Sequence, residues 1–510
     1  MKILRLILGD QLNANHSWFS TVDSEVVYLM AEMRQETDYV THHIQKIIAF
    51  FAAMRYFAAF LDKQGHHVRY YKLNDPKNPQ NLPELIKQVL AETKAIQFEY
   101  QLPDEYRLDN QLREISASLA VVSRSVDTEH FYTHRDTLKV FFEGKKQLLM
   151  ESFYRMMRRK HGVLMQGDQP FGGQWNYDHD NRKKWSGNPP ILAHGIPYIE
   201  VTHLETEIKT AGITTLGQVN ARNFIWPVTR LAALQLLDYF CKVLLPNFGT
   251  YQDAMCQGEP FLFHSKLSFA LNAKLLGPQE VVVRIEQEYH NRPDEIHISQ
   301  AEGFIRQILG WREYMRGIYW REMPLYEQCN KLENTNPLPE FYWTGNTHMN
   351  CLKQAITQSL ETAYAHHIQR LMITGNFALL MQTHPNEVDA WYLGIYIDAL
   401  QWVEITNTRG MSQFADGGLL ATKPYISSAN YIRNMSNYCN NCKYNPKEAL
   451  GDNACPFNAL YWNFLADKRQ FLSRNPRMGM MYKLLDKKNP EELRALQEKA
   501  AAVMAHPERF

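Results

Sequence analysis

Short β-rich runs alternate with helix-length segments through the first quarter of the chain. Five runs predict strands, at residues 3–8, 26–30, 68–72, 95–100 and 120–126. Apolar residues recur at helical spacing from Ile44 to Leu61, and residues 82–93 form another helical stretch. This alternation predicts a doubly wound parallel sheet. Ligands of such sheets bind beyond the carboxyl ends of the strands, where Gly9 and Asp10 follow the first strand.

The pattern changes twice after the predicted sheet. Residues 134–214 are basic and rich in loop-forming residues, whereas residues 215–510 are mostly helical, with long helices expected at 224–245, 279–317 and 351–381. A chain of 510 residues that is 45% hydrophobic can bury more than one core. We therefore expect an α/β domain at 1–133, a linker with a basic DNA-facing loop at 134–214 and an all-α domain at 215–510.

Charge and cysteine content limit the class of protein. The chain has 55 Lys and Arg against 54 Asp and Glu, so binding to an anionic polymer requires a locally basic face. Seven cysteines are too few for a disulfide scaffold and indicate thiols in a reducing compartment. Residues 1–11 lack the apolar core of a signal peptide, and the longest apolar stretch, 47–61, contains Arg55 and is too short to cross a bilayer. We expect a cytoplasmic protein without membrane contact.

The most specific local motif is a set of cysteines near the C-terminus. Cys439 and Cys442 are three positions apart, and Cys455 follows with a proline after it. Two thiolates at this spacing can bind one metal centre and the third can complete the site, so a fourth ligand is needed, which by spacing alone would be Cys329 or a histidine. Spacing alone leaves a structural zinc site and an iron–sulfur cluster equally open.

Aromatic residues and a histidine pair form two further constellations. Seven aromatic residues crowd the C-terminal third: Trp343, Trp391, Trp402, Tyr425, Tyr431, Tyr438 and Trp462. Core packing is their default role, and electron relay beside a redox centre is the alternative. His366 and His367 follow Tyr364 in a helical context, where they reach one pocket only if it wraps the helix end. A histidine can deliver a proton near neutral pH.

The familiar nucleotide-binding signatures are missing from the sequence. No GxGxxG follows the first strand and no GxxxxGK loop occurs, so any nucleotide must be held in another way. The run His264 to Ser268 opens a helical segment, and its serines suit a pyrophosphate. The same serines would be unremarkable as a plain helix cap.

These motifs coincide with those of a known family, and the similarity runs nearly end to end. The carrying strings are LILGDQL from Leu6, HSKLSFALN from His264, EGFIRQILGWREYMRG from Glu302, CLKQAI from Cys351, TGNFALL from Thr374, WYLGIYIDALQWVE from Trp391, GMSQFADGG from Gly410 and KPYISSANYI from Lys423. The chain resembles the iron–sulfur bacterial cryptochromes and photolyases, the prokaryotic (6-4) photolyases. Four cysteines match that family's cluster ligands, which favours [4Fe–4S] over zinc.

The resemblance implies an enzyme, a DNA (6-4) photolyase that acts on ultraviolet-damaged DNA as a monomer. Reduced, light-excited FAD would donate an electron to a (6-4) lesion flipped from the duplex, a step for which photolyases are a standard example. The expected cofactors are FAD, a [4Fe–4S] cluster, a 6,7-dimethyl-8-ribityllumazine antenna and a divalent cation such as Mg²⁺. The alternatives are a blue-light photoreceptor without repair activity and an iron–sulfur DNA-binding protein with a vestigial flavin.

The resemblance also implies roles for individual residues. The proton donor to the lesion would be His367, with His366 and Tyr364 beside it. The flavin contacts would be Ser265, Leu267, Ser268, Asn376, Asp398 and Glu404. The photoreduction route would include Trp391, Tyr425, Tyr431 and Trp343, and the cluster ligands would be Cys351, Cys439, Cys442 and Cys455. The antenna contacts would be Asp10 and Glu36, and the divalent-cation contact would be Asp180. Phosphate contacts are expected from Arg155, Arg158, Arg159, Arg182, Lys183, Lys184, Lys468, Arg469, Arg474 and Arg477.

Overall fold

A five-stranded parallel sheet forms the N-terminal part of the computed structural model, which describes residues 2–145, 147–193 and 196–510. The strands are β1 (Ile3–Leu6), β2 (Val26–Ala31), β3 (His67–Tyr71), β4 (Gln97–Gln101) and β5 (Val122–Val126). They lie side by side in the order β3-β2-β1-β4-β5, and every pairing is parallel. The predicted doubly wound parallel sheet is therefore confirmed, with its switch point at β1.

Three helices cover the faces of this sheet: Ile44–Lys63, Leu82–Thr93 and Tyr106–Ser118. Leu85 and Ile86 belong to a core under one face, whereas Ile47 and Phe51 join a larger core that continues into the C-terminal half. The helix Ile44–Lys63 is long and apolar enough to cross a membrane, which the apolar run alone did not indicate. Because 72% of its most apolar window is buried inside the protein, this helix has the character of a core helix.

The segment predicted to be a plain connector contains regular structure. Its helices are Thr137–Phe141, Met150–His161 and Thr202–Thr210, and its two short antiparallel strands are β6 (Met165–Gln166) and β7 (Gln169–Pro170). The helix Met150–His161 buries Phe153, Tyr154 and Met157 completely. The sequence analysis missed this helix because its many basic residues conceal a short apolar face.

The C-terminal half is helical, as predicted. Its α-helices are Arg230–Tyr239, Leu245–Tyr251, Ser268–Asn272, Pro278–Asn291, Ile298–Ile305, Glu313–Glu322, Phe341–Thr344, Asn350–Thr362, His367–Gln369, Asn376–Leu380, Pro385–Ile395, Gln401–Ile405, Ala429–Met435, Pro456–Asp467, Arg469–Leu472, Gly479–Asp486 and Pro490–Ala505. Four π-helical segments continue some of them: Phe240–Leu244, Arg306–Arg312, Arg370–Gly375 and Thr406–Ser412.

Each of the three long helices is shorter in the structure than predicted or is interrupted. The first begins only at Arg230, because Pro227 precedes it and the Thr229 side chain accepts from the N–H of Ala232. The second is interrupted after Asn291, where Pro293 follows. The third ends at Thr362, because Ala363 adopts a left-handed φ of 55°. This last break places the histidine pair.

Candidate functional site: a buried histidine group beside an arginine–aspartate pair

His366 and His367 stand at the start of a helix rather than inside one. The helix Asn350–Thr362 ends before them, and the next helical turn begins at His367. The backbone N–H of His366 donates to Oε1 of Gln369 at 3.1 Å, which fixes this turn. The prediction of a continuous helix is wrong here, and both imidazoles leave the chain from a helix end.

A third histidine lies against this pair. His264 stacks on His366 with ring centroids 4.5 Å apart and planes inclined by 13°. Both ring nitrogens of His366, and Nε2 of His264, are shielded from solvent and have no hydrogen-bond partner. The sequence analysis treated His264 only as the opening of a phosphate-binding run. No local pattern could have revealed the contact, because it joins segments that are distant in the chain.

Burial keeps the three imidazoles neutral. It lowers the pKa of His264 and of His367 to about 4, and neighbouring positive charge, chiefly from His367 and Arg370 respectively, lowers these values further. Burial and both other histidines place the pKa of His366 well below its usual value. The His367 side chain is exposed, although the protein atoms around it still lower its pKa. We call the partly enclosed surface formed by His264, His367 and Arg370 the recess.

An ion pair lies one helical turn from the histidines. Nη1 and Nη2 of Arg370 donate to the two carboxylate oxygens of Asp398 at 2.9 and 3.2 Å. Although burial opposes ionisation, Arg370 and the Ser268 hydroxyl hold the pKa of Asp398 below its usual value. Asn272 donates to the backbone oxygen of Asp398 at 2.8 Å. The arrangement brings together two predicted flavin contacts, Ser268 and Asp398, and adds Arg370, which the sequence analysis did not single out.

Glu404 and Asn376 differ in how their polar atoms are used. Glu404 is 6% exposed, its pKa is raised well above the usual value mainly by burial, and its Oε1 has no hydrogen-bond partner. Asn376 is fully buried. Its side-chain amide donates to the backbone oxygen of Ser427 at 3.0 Å and accepts from the backbone N–H of Ser427 at 3.1 Å. Glu404 therefore has an oxygen free for a ligand, whereas the Asn376 amide is already engaged.

The serine run begins a short helix, as expected. Ser268 is the first residue of the helix Ser268–Asn272, and Ser265 accepts from the N–H of Leu267 at 3.3 Å. Between them Lys266 adopts a left-handed φ of 56°, and burial lowers the pKa of its ammonium to about 8. Ser265 and Ser268 are half-buried, which leaves their hydroxyls within reach of a ligand.

The four predicted cluster cysteines line one small pocket. The pocket is formed by Met349, Cys351, Ala429, Ile432, Tyr438, Cys439, Cys442, Tyr444, Pro446 and Cys455. Burial raises the pKa of Cys439 to about 11 and that of Cys455 to about 12, and the other thiols add to both shifts. Within the described ranges, no three His, Cys, Asp or Glu side chains are grouped as ligands of a single metal ion.

Trp391 is the centre of a buried aromatic group. Its ring lies 5.1 Å from Tyr342, 5.2 Å from Tyr392 and 5.8 Å from Tyr396. Tyr396 lies under the Arg370 guanidinium at 3.8 Å, and Trp343, next to Tyr342 in the chain, is 42% exposed. An aromatic path therefore runs from Tyr342 through Trp391 to Tyr396 at the ion pair, and exposed Trp343 adjoins it in the chain only.

The other two predicted relay residues lie outside this path. Tyr425 and Tyr431 are half-buried, and no aromatic ring contact in the described part of the chain joins either of them to Trp391. The sequence analysis in turn missed Tyr342 and Tyr396, whose spacing carries no distinctive pattern.

The two predicted antenna contacts, Asp10 and Glu36, both lie near the buried carboxylate of Glu105. Burial raises the pKa of Asp10 to about 6 despite Lys274, whose Nζ lies 3.5 Å from Oδ2. Arg107 donates to both Glu36 carboxylate oxygens, at 3.1 and 2.6 Å, and lies 3.3 Å from Glu105. Glu105 also raises the pKa of Asp10. The two carboxylates therefore belong to one charged neighbourhood.

The predicted DNA contacts divide into exposed and buried groups. Arg159, Arg182, Lys183, Lys184, Arg469, Arg474 and Arg477 are exposed, and Arg155 is half-buried. Arg158 is fully buried and donates to the backbone oxygens of Val163, Leu164 and Trp175, and Lys468 is 5% exposed. The expectation of phosphate contact is wrong for Arg158 and Lys468. Asp180 is partly exposed, with Oδ1 3.1 Å from Nε2 of His179.

Comparison with known proteins decides the family. The chain is 43% identical, over 99% of its length and 99% of the relative's, to a "(6-4) photolyase" of Agrobacterium fabrum. The chain belongs to the photolyase family. A family profile described as deoxyribodipyrimidine photo-lyase-related protein matches residues 5–224.

Solved structures of the photolyase family agree in fold. A bacterial class III photolyase from Agrobacterium tumefaciens aligns with a TM-score of 0.58 at 13% identity, covering 100% of this chain and 98% of that one. A Synechocystis cryptochrome aligns with a TM-score of 0.56 at 12% identity, covering 94% and 89%. Family membership confirms the photolyase/cryptochrome architecture and supports a photolyase-type function with a flavin and DNA.

Proposed function

We propose that this photolyase-family chain repairs (6-4) photoproducts in DNA with light. The observation that carries the proposal is the group of neutral imidazoles on a recess, one helical turn from a charged Arg370–Asp398 pair. The end-to-end similarity to a relative named "(6-4) photolyase" supports the lesion class. Transfer of a group between two bases needs a proton donor, which imidazoles can provide.

The residues around the recess fit FAD. Glu404 has a buried oxygen without a partner, Asp398 stays ionised, and the hydroxyls of Ser265 and Ser268 are within reach of a ligand. Ser265 and Ser268 would hold the pyrophosphate, and Asp398 and Glu404 would face the ring system. FAD, when bound, would supply the light-driven electron donation.

His367 has to gain a proton before it can donate one. In the protein alone its pKa is about 4, so at neutral pH the imidazole is neutral. DNA phosphates bring negative charge to the recess, and a nearby opposite charge favours the protonated form. We infer that lesion binding raises the pKa of His367 and that one of its ring nitrogens then holds the proton beside the damaged base.

The cysteine pocket fits a [4Fe–4S] cluster better than a zinc ion. A zinc ion requires four sulfurs each about 2.3 Å from one point. Four thiols line the pocket here, yet no three ligands in the described residues converge on a single-ion site. A larger cluster takes ligands that are farther apart, so we infer that Cys351, Cys439, Cys442 and Cys455 bind an iron–sulfur cluster.

The remaining assignments are part of the same proposal. Trp391 would pass electrons inwards from exposed Trp343, by the aromatic path that includes Tyr342 and Tyr396, and Tyr425 and Tyr431 would form a second entry. The neighbourhood of Asp10 and Glu36 would hold a lumazine antenna. Asp180 offers the oxygen ligand that Mg²⁺ prefers and would help to hold that ion near the lesion phosphates. We propose that the chain works as a monomer.

Illumination of defined lesions tests the proposal. The reduced holoprotein should restore an oligonucleotide that carries one (6-4) photoproduct and should leave a cyclobutane dimer and a dark control unrepaired. His367→Ala should abolish repair with flavin still bound. If illumination restores neither lesion while the protein contains flavin, the photoreceptor alternative is favoured; if the purified chain contains no flavin, repair and photoreception both fail and the iron–sulfur DNA-binding protein is favoured.

A further inference from the structure

We propose that His264 is a positioning residue for repair, because its imidazole, stacked on buried His366, holds that ring in place next to His367, the proposed proton donor. The inference rests on the proposed function and concerns the same recess.

The stack is the firmest geometric feature of the recess. The 13° angle and 4.5 Å separation make the rings nearly parallel, and Phe248 meets the edge of His264 at 6.0 Å and 89°. Phe248 therefore packs against the edge of His264, and the flat face of His264 packs on the ring of His366. A hydrogen bond cannot replace this support, because parallel imidazoles place their nitrogens beside rather than toward each other.

The stack supports the His366 ring on one face. Neither of its nitrogens makes a well-formed hydrogen bond, although a backbone hydrogen bond to Ala254 acts to raise the pKa of the ring. An imidazole normally has its direction fixed by a strong bond to one nitrogen. Here the stacked ring of His264 supplies much of that constraint, and both nitrogens of His366 stay shielded from solvent.

The stack also limits the charge of the recess. Two imidazolium rings 4.5 Å apart repel in a buried site, so His264 and His366 do not both bind a proton. The groups that face them are His367, which is neutral at pH 7 in the protein alone, and Arg370, which is neutralised by Asp398. A proton taken up on substrate binding is thereby directed to His367, which stands outside the stack.

Two substitutions separate stacking from other roles. His264→Ala removes the stacked ring, whereas His264→Phe keeps a flat ring of similar size without nitrogens. In the reduced holoprotein, His264→Ala should lower the rate of repair of bound lesion by about tenfold to a hundredfold, the scale of a small misplacement of a reacting group. Lesion affinity should stay within about twofold, and His264→Phe should recover most of the rate.

A spectroscopic measurement gives a readout that does not depend on activity. With histidine labelled in the ring, the His366 nitrogen signals should be narrow in the parent protein and in His264→Phe, where the ring is held, and should broaden in His264→Ala, where the ring becomes mobile. His290→Phe makes the same exchange at an exposed histidine between Phe171 and Tyr289 and should change nothing. Flavin content of every variant is measured first, so that cofactor loss is detected; if His264→Ala loses flavin, the comparison of His264→Phe with His264→Gln takes its place.

The outcomes distinguish this inference from the proposed function. If the parent protein does not repair the (6-4) lesion, the proposed function fails. If the parent repairs it and His264→Ala repairs bound lesion at the same rate, or if His264→Phe is as slow as His264→Ala, stacking is not the role of His264 and the inference is overturned. Recovery by phenylalanine together with the narrow His366 signals supports it.

Discussion

Arg370 binds Asp398 through two guanidinium nitrogens, at 2.9 and 3.2 Å, inside the helical half. Arg370 follows the histidine pair in the chain and also covers Tyr396 at 3.8 Å. A single ion pair therefore lies between the histidine pair and the aromatic path.

Removal of the Asp398 charge should destabilise the protein and release flavin. Asp398→Asn leaves the Arg370 charge unpaired where its side chain is only 20% exposed, which costs up to about 3–5 kcal/mol in the free energy of unfolding. Chemical denaturation and flavin content per chain measure the two effects. Asp38→Asn breaks the exposed Arg34–Asp38 pair and should cost less than about 1 kcal/mol. Equal effects of the two substitutions would contradict a special role for the buried pair.

Cys439→Ser should remove the iron. A [4Fe–4S] cluster needs all four thiolates, so iron should fall from about four atoms per chain to near zero, and the unfolding temperature should fall with it. Cys329→Ser alters a cysteine outside the pocket and should keep full iron. Iron and sulfide analysis decides between the variants. Retention of iron in Cys439→Ser would remove that residue from the ligand set.

Acid should weaken the fold through buried neutral histidines. His43 is fully buried, accepts from the N–H of Gln45 at 3.1 Å and has a pKa lowered to about 4 by burial. The unfolded chain takes up a proton at this position below about pH 6.5 and the folded chain only near pH 4, so stability rises with pH across that window. The contribution of His43 over the whole window is about 3 kcal/mol.

His43→Gln tests this linkage. The variant should show a smaller slope of unfolding free energy against pH between about pH 4 and 6.5 than the parent. His134→Gln alters a histidine whose side chain is 84% exposed and should leave the slope unchanged. A parent slope that His43→Gln does not reduce would show that this imidazole is already protonated in the folded protein.

Much of the fold, but less of the site, could be predicted from the sequence. The short β-rich runs of β1 to β5 and the helical period from Ile44 to Leu61 are local, so the sheet follows from them. The helix Asn350–Thr362 ends because Ala363 has a left-handed backbone conformation, which glycine usually marks in a sequence and does not mark here. The contact of His264 with His366 and that of Arg370 with Asp398 arise from tertiary packing, which periodicity does not encode. Arg158 appears basic and exposed in sequence because its three carbonyl partners come from the folded loop.

Trp391→Phe should slow photoreduction and spare repair. The indole is fully buried at the centre of the aromatic group, and Phe keeps its packing but is much harder to oxidise. Flash photolysis of the oxidised holoprotein should show slower electron entry, whereas repair by chemically reduced protein should match the parent. Trp18→Phe alters a buried indole in the N-terminal part and should affect neither measurement. Equal photoreduction in Trp391→Phe and the parent would exclude this path.

Substitution of two neighbouring arginines should have different effects: Arg159→Ala should weaken DNA binding, and Arg158→Ala should lower stability. Arg159 is exposed with its guanidinium 4.6 Å from the Trp175 ring, so Arg159→Ala should weaken binding of lesion and undamaged DNA alike and reduce the slope of log affinity against log salt by about one. Arg158→Ala leaves three backbone oxygens without their donor, and it should cost about 3 kcal/mol or more in unfolding free energy. Binding titrations at several salt concentrations and denaturation curves measure both variants. A stable Arg158→Ala protein with reduced salt dependence would place that side chain on the DNA, because only a phosphate contact releases counterions.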